Sequence, residues 1–456
     1  MISTQRSRFR SAPPMVRRRI PFDGMEAFVL LIGLLTPFGI TYIGTFQVSE
    51  LLTFAILPFL LATQPQRALR RGIIPIYSLM GLWLLCQIIT DIYRHTERMN
   101  WMRGDARVIF FAIDLTVLTI LLSKKIRRQV LFVAGFGVGS LLAAVIQPPD
   151  GMSEAPWKFG YSTGTMTLVV LLCCYFHARK RYWATGALLA ALVAVNLLLN
   201  FRSPILFLMV TIALVVPAVP ERVGRLRLLP RAGTPKRVVV LITFAVGFVV
   251  LSLALVKFVT DVGLISAGAQ EKNRNESQSI GGLLIGGRPE ILVSSRAVMD
   301  SPILGHGSWA SDFKYTEMLY DIAIQYNIPI DSLDYIEQSD LNLIPAHSHI
   351  MSSWVQAGIF GAVFWIYILY LAIRGLIRTA LVQPVLAPYY AFLMAGFVWD
   401  ALFSPFNNLR RFVDSLVIIF VLEVLEMYPR RSDNWRPFRK WKRYSVRGRL
   451  APTVTN

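Results

Sequence analysis

Apolar runs long enough to cross a bilayer recur roughly every 20 to 45 residues along most of this chain, and nothing else in the sequence narrows its fold so sharply. A hydrocarbon core of ~30 Å needs about 20 residues at ~1.5 Å rise per residue. Lipid offers no hydrogen bonds to the backbone, so each run must be a helix or part of a closed barrel. The runs are continuous, as in Val238 to Val256 and Val413 to Leu425, and lack the alternation of barrel strands. The expected fold is therefore all-α: a polytopic membrane protein of about twelve transmembrane helices. A chain that is 54% hydrophobic, 16% charged and of mean hydropathy +0.51 is not an ordinary soluble domain.

The pattern predicts spans near 27–42, 48–63, 73–89, 108–122, 129–146, 161–177, 184–199, 204–219, 238–256, 349–372, 386–403 and 413–427. The basic start of the chain precedes an apolar run from Ala27 without a small-residue cleavage site, which reads as an uncleaved first helix. The formal charge of +20 raises the question of nucleic acid, and its distribution answers it. With the N-terminus inside, the inner segments hold 33 of the 47 Lys and Arg, among them Lys124, Lys125, Arg127, Arg128 and Arg179 to Arg181. That is the positive-inside asymmetry. The basic tail with Trp435, Trp441 and Tyr444 then lies beside anionic lipid rather than on a nucleic acid.

The expected division is a cytoplasmic basic N-terminus (1–26), helices one to nine (27–256), a periplasmic catalytic loop (257–348), helices ten to twelve (349–427) and a cytoplasmic basic tail (428–456). The long loop carries twelve acidic and six basic side chains between Lys257 and His347, a balance suited to the outer face of the inner membrane. Ala267 to Ser279 is polar. Pro289 fits the first turn of a short amphipathic helix whose face of Ile291, Leu292 and Val298 suits a membrane surface, and Ser311 to Tyr326 reads as a second helix. Cys86, Cys173 and Cys174 sit in apolar runs and are read as packing residues.

Charge at membrane depth is costly and marks candidate sites. Arg202 lies in a break between helices seven and eight, Arg410 and Arg411 close the turn between helices eleven and twelve near Asp400, and Asp114 sits inside helix four. Arg94, Arg98, Arg103 and Arg107 decorate an outer loop together with Asp91, Glu97 and Asp105. Guanidinium forks at the outer face match phosphate oxygens, so these arginines are candidate grips for a diphosphate. The competing reading is snorkelling or pairing with carboxylates, favoured for Arg94 to Arg107, and pairing within the bundle is favoured for Asp114.

Among the histidines, His347 and His349 have the clearest context, entering helix ten ahead of Trp354, Gly358 and Gly361. A neutral imidazole there suits proton abstraction from a sugar hydroxyl; a metal site and a structural histidine are the alternatives. Gly287 and Arg288 open the amphipathic helix, Asp300 to Gly307 spell Asp-Ser-Pro-Ile-Leu-Gly-His-Gly, and Gly358 follows His347 by eleven residues. Together with Phe201, Arg202 and Ser203 between two helices, these segments resemble the O-antigen ligase and polymerase superfamily of bacterial membrane glycosyltransferases, over roughly residues 160 to 365. Ser348 stands where that family usually has Asn, and the usual Ser before Arg202 is absent.

The resemblance implies glycan transfer from an undecaprenyl-diphosphate carrier to an acceptor hydroxyl, without cofactor or metal. By that resemblance His347 is the activating base with His349 the alternate. Arg202 and Arg288 bind the diphosphate, with Arg410 and Arg411 as further candidates. The acceptor is a growing glycan or lipid A core, and membrane lipid and other polysaccharide-export proteins are the remaining expected partners. A lipid-linked glycan flippase or other multi-pass transporter is the rival reading, although no internal repeat of two six-helix halves is visible. A scaffold in an export complex is a third.

Overall fold

The computed structural model describes residues 22–41, 45–70, 72–215, 235–263, 270, 289–326 and 343–427. The chain is an all-α polytopic membrane protein. Among the described residues, Ile74–Arg94 (α4), Ile126–Ile146 (α6), Trp157–Ala178 and Ile359–Val382 (α14) are long and apolar enough to cross a membrane. Gly24–Leu35 (α1), Val48–Thr63 (α2), Tyr182–Leu198 (α8) and Arg202–Val215 (α9) are shorter apolar helices. Arg98–Leu122 (α5), Pro235–Val262 (α10), Ala387–Phe403 (α15) and Asn408–Glu426 (α16) complete the large ones, and Pro65–Ala68 (α3) is a single turn. Within Trp157–Ala178, a π turn over Trp157–Tyr161 leads into Ser162–Ala178 (α7).

The first predicted span, 27–42, ends earlier than expected. α1 stops at Leu35, where the Thr36 hydroxyl donates to the Ile32 carbonyl at 2.7 Å and Pro37 follows. Proline has no N–H to continue the ladder. The chain then makes a short antiparallel hairpin, Gly39–Thr41 with Thr45–Gln47, before α2. The α1 and α6 backbones touch because glycines face each other: a Cβ at Gly135 would come within 2.5 Å of the Leu30 carbonyl oxygen. Small residues allow this approach where lipid supplies no hydrophobic drive between helices.

The predicted helix over 349–372 is two pieces, His349–Ala357 (α13) and α14, broken at Gly358. Gly358 has φ 65° and ψ −162°, which ends one helix and redirects the chain into the next. Between α10 and α13 lie Glu290–Asp300 (α11) and Phe313–Gln325 (α12), both predicted. Val293, Ala297 and Val298 of α11 pack with Tyr315, Leu319 and Ile322 of α12 and Val355 of α13 in a second core. Gly287 and Arg288 lie outside the described residues, as do 216–219 of the eighth predicted helix, 1–21 and 428–456.

The main core holds an aromatic knot directly beneath α13. Trp83 of α4, Phe111 of α5, Phe364 and Trp365 of α14 and Phe406 meet with ring centroids 4.7 to 6.1 Å apart. Fully buried aromatics of this size fix how the helices cross. They also give the half-helix a rigid floor.

Candidate functional site

The turn after α11 is built by glycine and held from several sides. Ser301 Oγ lies 2.8 Å from the Gly305 carbonyl, and the His306 and Gly307 amides donate to the carbonyls of Val355 and Gln356 at the end of α13. Gly305 (φ 80°) leaves no room for a side chain, since a Cβ would sit 2.6 Å from the Gly358 nitrogen. Trp354 Nε1 donates to the Pro302 carbonyl at 2.8 Å. His306 turns its Nε2 onto the Ala297 carbonyl at 2.8 Å and its ring onto Tyr315, so it braces the turn. The Asp300–Gly307 turn and the His347–Gly358 segment are thus docked backbone to backbone.

The end of α4 grips the same turn. Thr90 donates to the Leu304 carbonyl at 2.5 Å, and Asp91 accepts both the Ser308 amide and hydroxyl at 2.6 Å. Arg94 donates to the Gly305 carbonyl and the Ser301 hydroxyl, while Arg107, buried in α5, donates to Gln356 and lies over the Trp309 ring. These two arginines therefore serve loop anchoring rather than pairing with the acids interleaved beside them in sequence. Asp300 closes the other side: Lys314 and then Tyr315 donate to it and hold its carboxyl below the usual range, while burial first and Asp300 second push the Tyr315 phenol up.

Ser348 is the N-cap of α13, accepting from the Met351 amide at 3.2 Å while donating to the Ala401 carbonyl at 2.7 Å. The cap separates the two histidines. His347 lies outside the helix and is half-buried; His349 opens it and is fully buried. His349 Nδ1 is 2.6 Å from the Ser404 carbonyl oxygen and Nε2 is 3.2 Å from Asp414 Oδ2. Trp365 meets its ring edge-on at 4.8 Å.

The predicted arginines that fall within the described residues differ in their surroundings; Arg288 lies outside them. Arg202 is half-buried at the first residue of α9. Arg410 pairs with Asp400 at the end of α15, as their proximity in sequence suggested. Arg411 points inward: Nε and Nη2 hold the two oxygens of Glu50 at 2.5 and 2.9 Å, both side chains nearly inaccessible. Exposing this guanidinium would leave the Glu50 carboxylate without its partner inside the bundle. Asp114 is buried as expected, accepting from Thr53 at 2.7 Å. Among the described residues no group of three or more His, Cys, Asp or Glu is placed to hold a metal ion.

Residues 187–366 match the family model described as O-antigen ligase. Over this segment the chain is similar to the O-antigen ligase family. The matched segment runs from α8 through Arg202, the docked turn and the capped half-helix into α14, whereas α4, α5, α15 and α16, which hold the turn and the half-helix in place, lie outside it. Neither a curated protein nor a solved structure gives a match to the chain. This similarity supports a glycosyl-transferring role in polysaccharide synthesis for a membrane-integral protein, and it implies a lipid-linked glycan donor with a polysaccharide acceptor.

Sequence reasoning missed Asp414, Glu50 and Gln356. Asp414 follows Arg410 and Arg411 by one helical turn, a spacing that places all three near one face of α16 and offered a usable signal. Glu50 inside an apolar run was a second. Gln356 had none, because its partner Arg107 is 249 residues away.

Proposed function

We propose that this protein transfers a glycan from an undecaprenyl-diphosphate carrier to an acceptor hydroxyl on the periplasmic side of the bacterial inner membrane. The observation that carries the reading is the docking of the Asp300–Gly307 turn onto the end of α13, which ties together segments that were only separate motifs in sequence.

In this reading His347, outside the helix and ahead of its cap, takes the proton of the acceptor hydroxyl as its oxygen attacks the anomeric carbon. The bond from that carbon to the diphosphate oxygen breaks, and the diphosphate leaves with the electron pair and growing negative charge. Arg202 and Arg288 hold that charge in bidentate contacts. Arg410 and Arg411 are assigned to the frame, since Asp400 and Glu50 engage them. The acceptor is a growing glycan in a polymerase or lipid A core in a ligase. Other polysaccharide-export proteins are the partners this role implies.

The test is purified protein in lipid with a polyprenyl-diphosphate-linked glycan and an acceptor, without nucleotide sugar. The reading expects glycan joined to acceptor and an equal amount of polyprenyl diphosphate released. Movement of the intact lipid-linked glycan across the bilayer with neither product would instead establish the flippase reading.

A further inference from the structure

His349 and Asp414 are fully buried and take no part in the proposed proton transfer. A carbonyl oxygen can only accept, so the 2.6 Å contact to Ser404 requires a hydrogen on His349 Nδ1. Nε2 then faces a carboxylate oxygen at 3.2 Å. With no hydrogen between them, two lone pairs would oppose each other inside a box of Trp365, Phe397 and Phe406 rings, where water cannot screen them. A proton between Nε2 and Oδ2 removes the conflict, whichever atom carries it. The charged neighbours do not alter this: Arg410 and Asp400, the groups acting on Asp414, are paired with each other.

We propose that His349 and Asp414 share one proton and form a positioning pair for His347, not a second base. The inference rests on the reading of His347 as the base. Its geometry is a three-point clamp on the first turn of α13: Ser348 on the Ala401 carbonyl, and His349 on both the Ser404 carbonyl and Asp414. The clamp ties that turn to the corner between α15 and α16, and His347 is the residue immediately before it. Losing one anchor lets the backbone of His347 drift, and a shift of about 1 Å at a reacting group lowers turnover on the order of 100-fold.

Two measurements on the full chain decide the matter. In wild-type protein with ¹⁵N-labelled histidine, assigned with His349→Gln, Nδ1 of His349 should be protonated and Nε2 should report a proton shared with a carboxyl group. A bare Nδ1 would overturn the shared proton, and this readout needs no destabilised variant. Second, acylation of His347 by diethyl pyrocarbonate, read by mass spectrometry, should proceed at the wild-type rate in Asp414→Asn, whose amide still bonds Nε2, and change several-fold in Asp414→Ala. kcat should fall roughly 10- to 100-fold in Asp414→Ala with the acceptor KM held, and recover in Asp414→Asn. An unchanged His347 labelling rate in Asp414→Ala would overturn the clamp. The labelling result does not depend on glycan transfer, so failure of the base reading, seen as full turnover in His347→Ala, is a separate outcome.

Discussion

A Cβ on Gly358 would fall inside the carbonyl group of Ile303, so the break in the α13–α14 helix and the turn after α11 exist only as a pair. The positive φ of Gly358 adds a second demand for glycine at the same residue. A glycine eleven residues after His347 is thus a packing requirement that sets where the half-helix ends.

Gly358→Ala should therefore lower the unfolding temperature and the membrane level of the protein. The positive-φ backbone at φ 65°, ψ −162° alone costs about 1–3 kcal/mol for a residue with a side chain, before any displacement of Ile303. Gly81→Ala, in α4 with nothing within 4 Å of its Cβ position, is the control and should be neutral or stabilising by up to about 1 kcal/mol. Thermal unfolding of both variants in detergent checks the contrast.

Glu50 and Arg411 form a buried pair, and removing one partner leaves the other charge stranded. Arg411→Met or Glu50→Leu should each destabilise by about 3–5 kcal/mol, and the double variant by clearly less than their sum. A double-mutant cycle of unfolding in detergent reads the coupling. Additive losses would mean that the two side chains stabilise independently.

The apolar periodicity made most helices legible, and the predicted span 48–63 coincides with α2, because hydrophobic length is the quantity the bilayer measures. Two breaks were not legible. The end of α1 at Thr36 turns on a hydroxyl bond and Pro37, and the break at Gly358 turns on a carbonyl 55 residues earlier. The site followed the same rule. Histidines and arginines were visible as chemistry-bearing residue types, but which of them pair inward depends on partners such as Asp414 for His349 and Glu50 for Arg411, brought together by helix crossing. For Arg94 and Arg107, neighbours in sequence pointed to carboxylates, whereas the fold supplied backbone carbonyls and an amide.

The lysine and arginine asymmetry predicts both chain ends in the cytoplasm and the loop before α13 in the periplasm. Alkaline phosphatase fused near Gln278 should be active and the same reporter at Arg447 inactive. The reverse pattern would put the proposed site on the wrong side of the membrane for its acceptor.

If Arg202 and Arg288 hold the diphosphate through forked contacts, Lys should replace neither well despite its equal charge. Each Arg→Lys variant should lose turnover by roughly 10-fold or more, an interaction worth about 1.4 kcal/mol or above. Donor-dependent product formation at matched protein level checks this. Full activity in both variants would reduce these arginines to surface anchors.

The central claim is that His347 removes the acceptor proton, and the most direct test is turnover of His347→Ala with purified protein, lipid-linked donor and acceptor. General-base catalysis supplies ~10² to 10⁴-fold, about 3 to 5 kcal/mol of barrier. The account predicts a loss of that size with normal folding, no recovery on adding divalent metal and no effect of chelator on the wild type. Wild-type turnover in His347→Ala would contradict it.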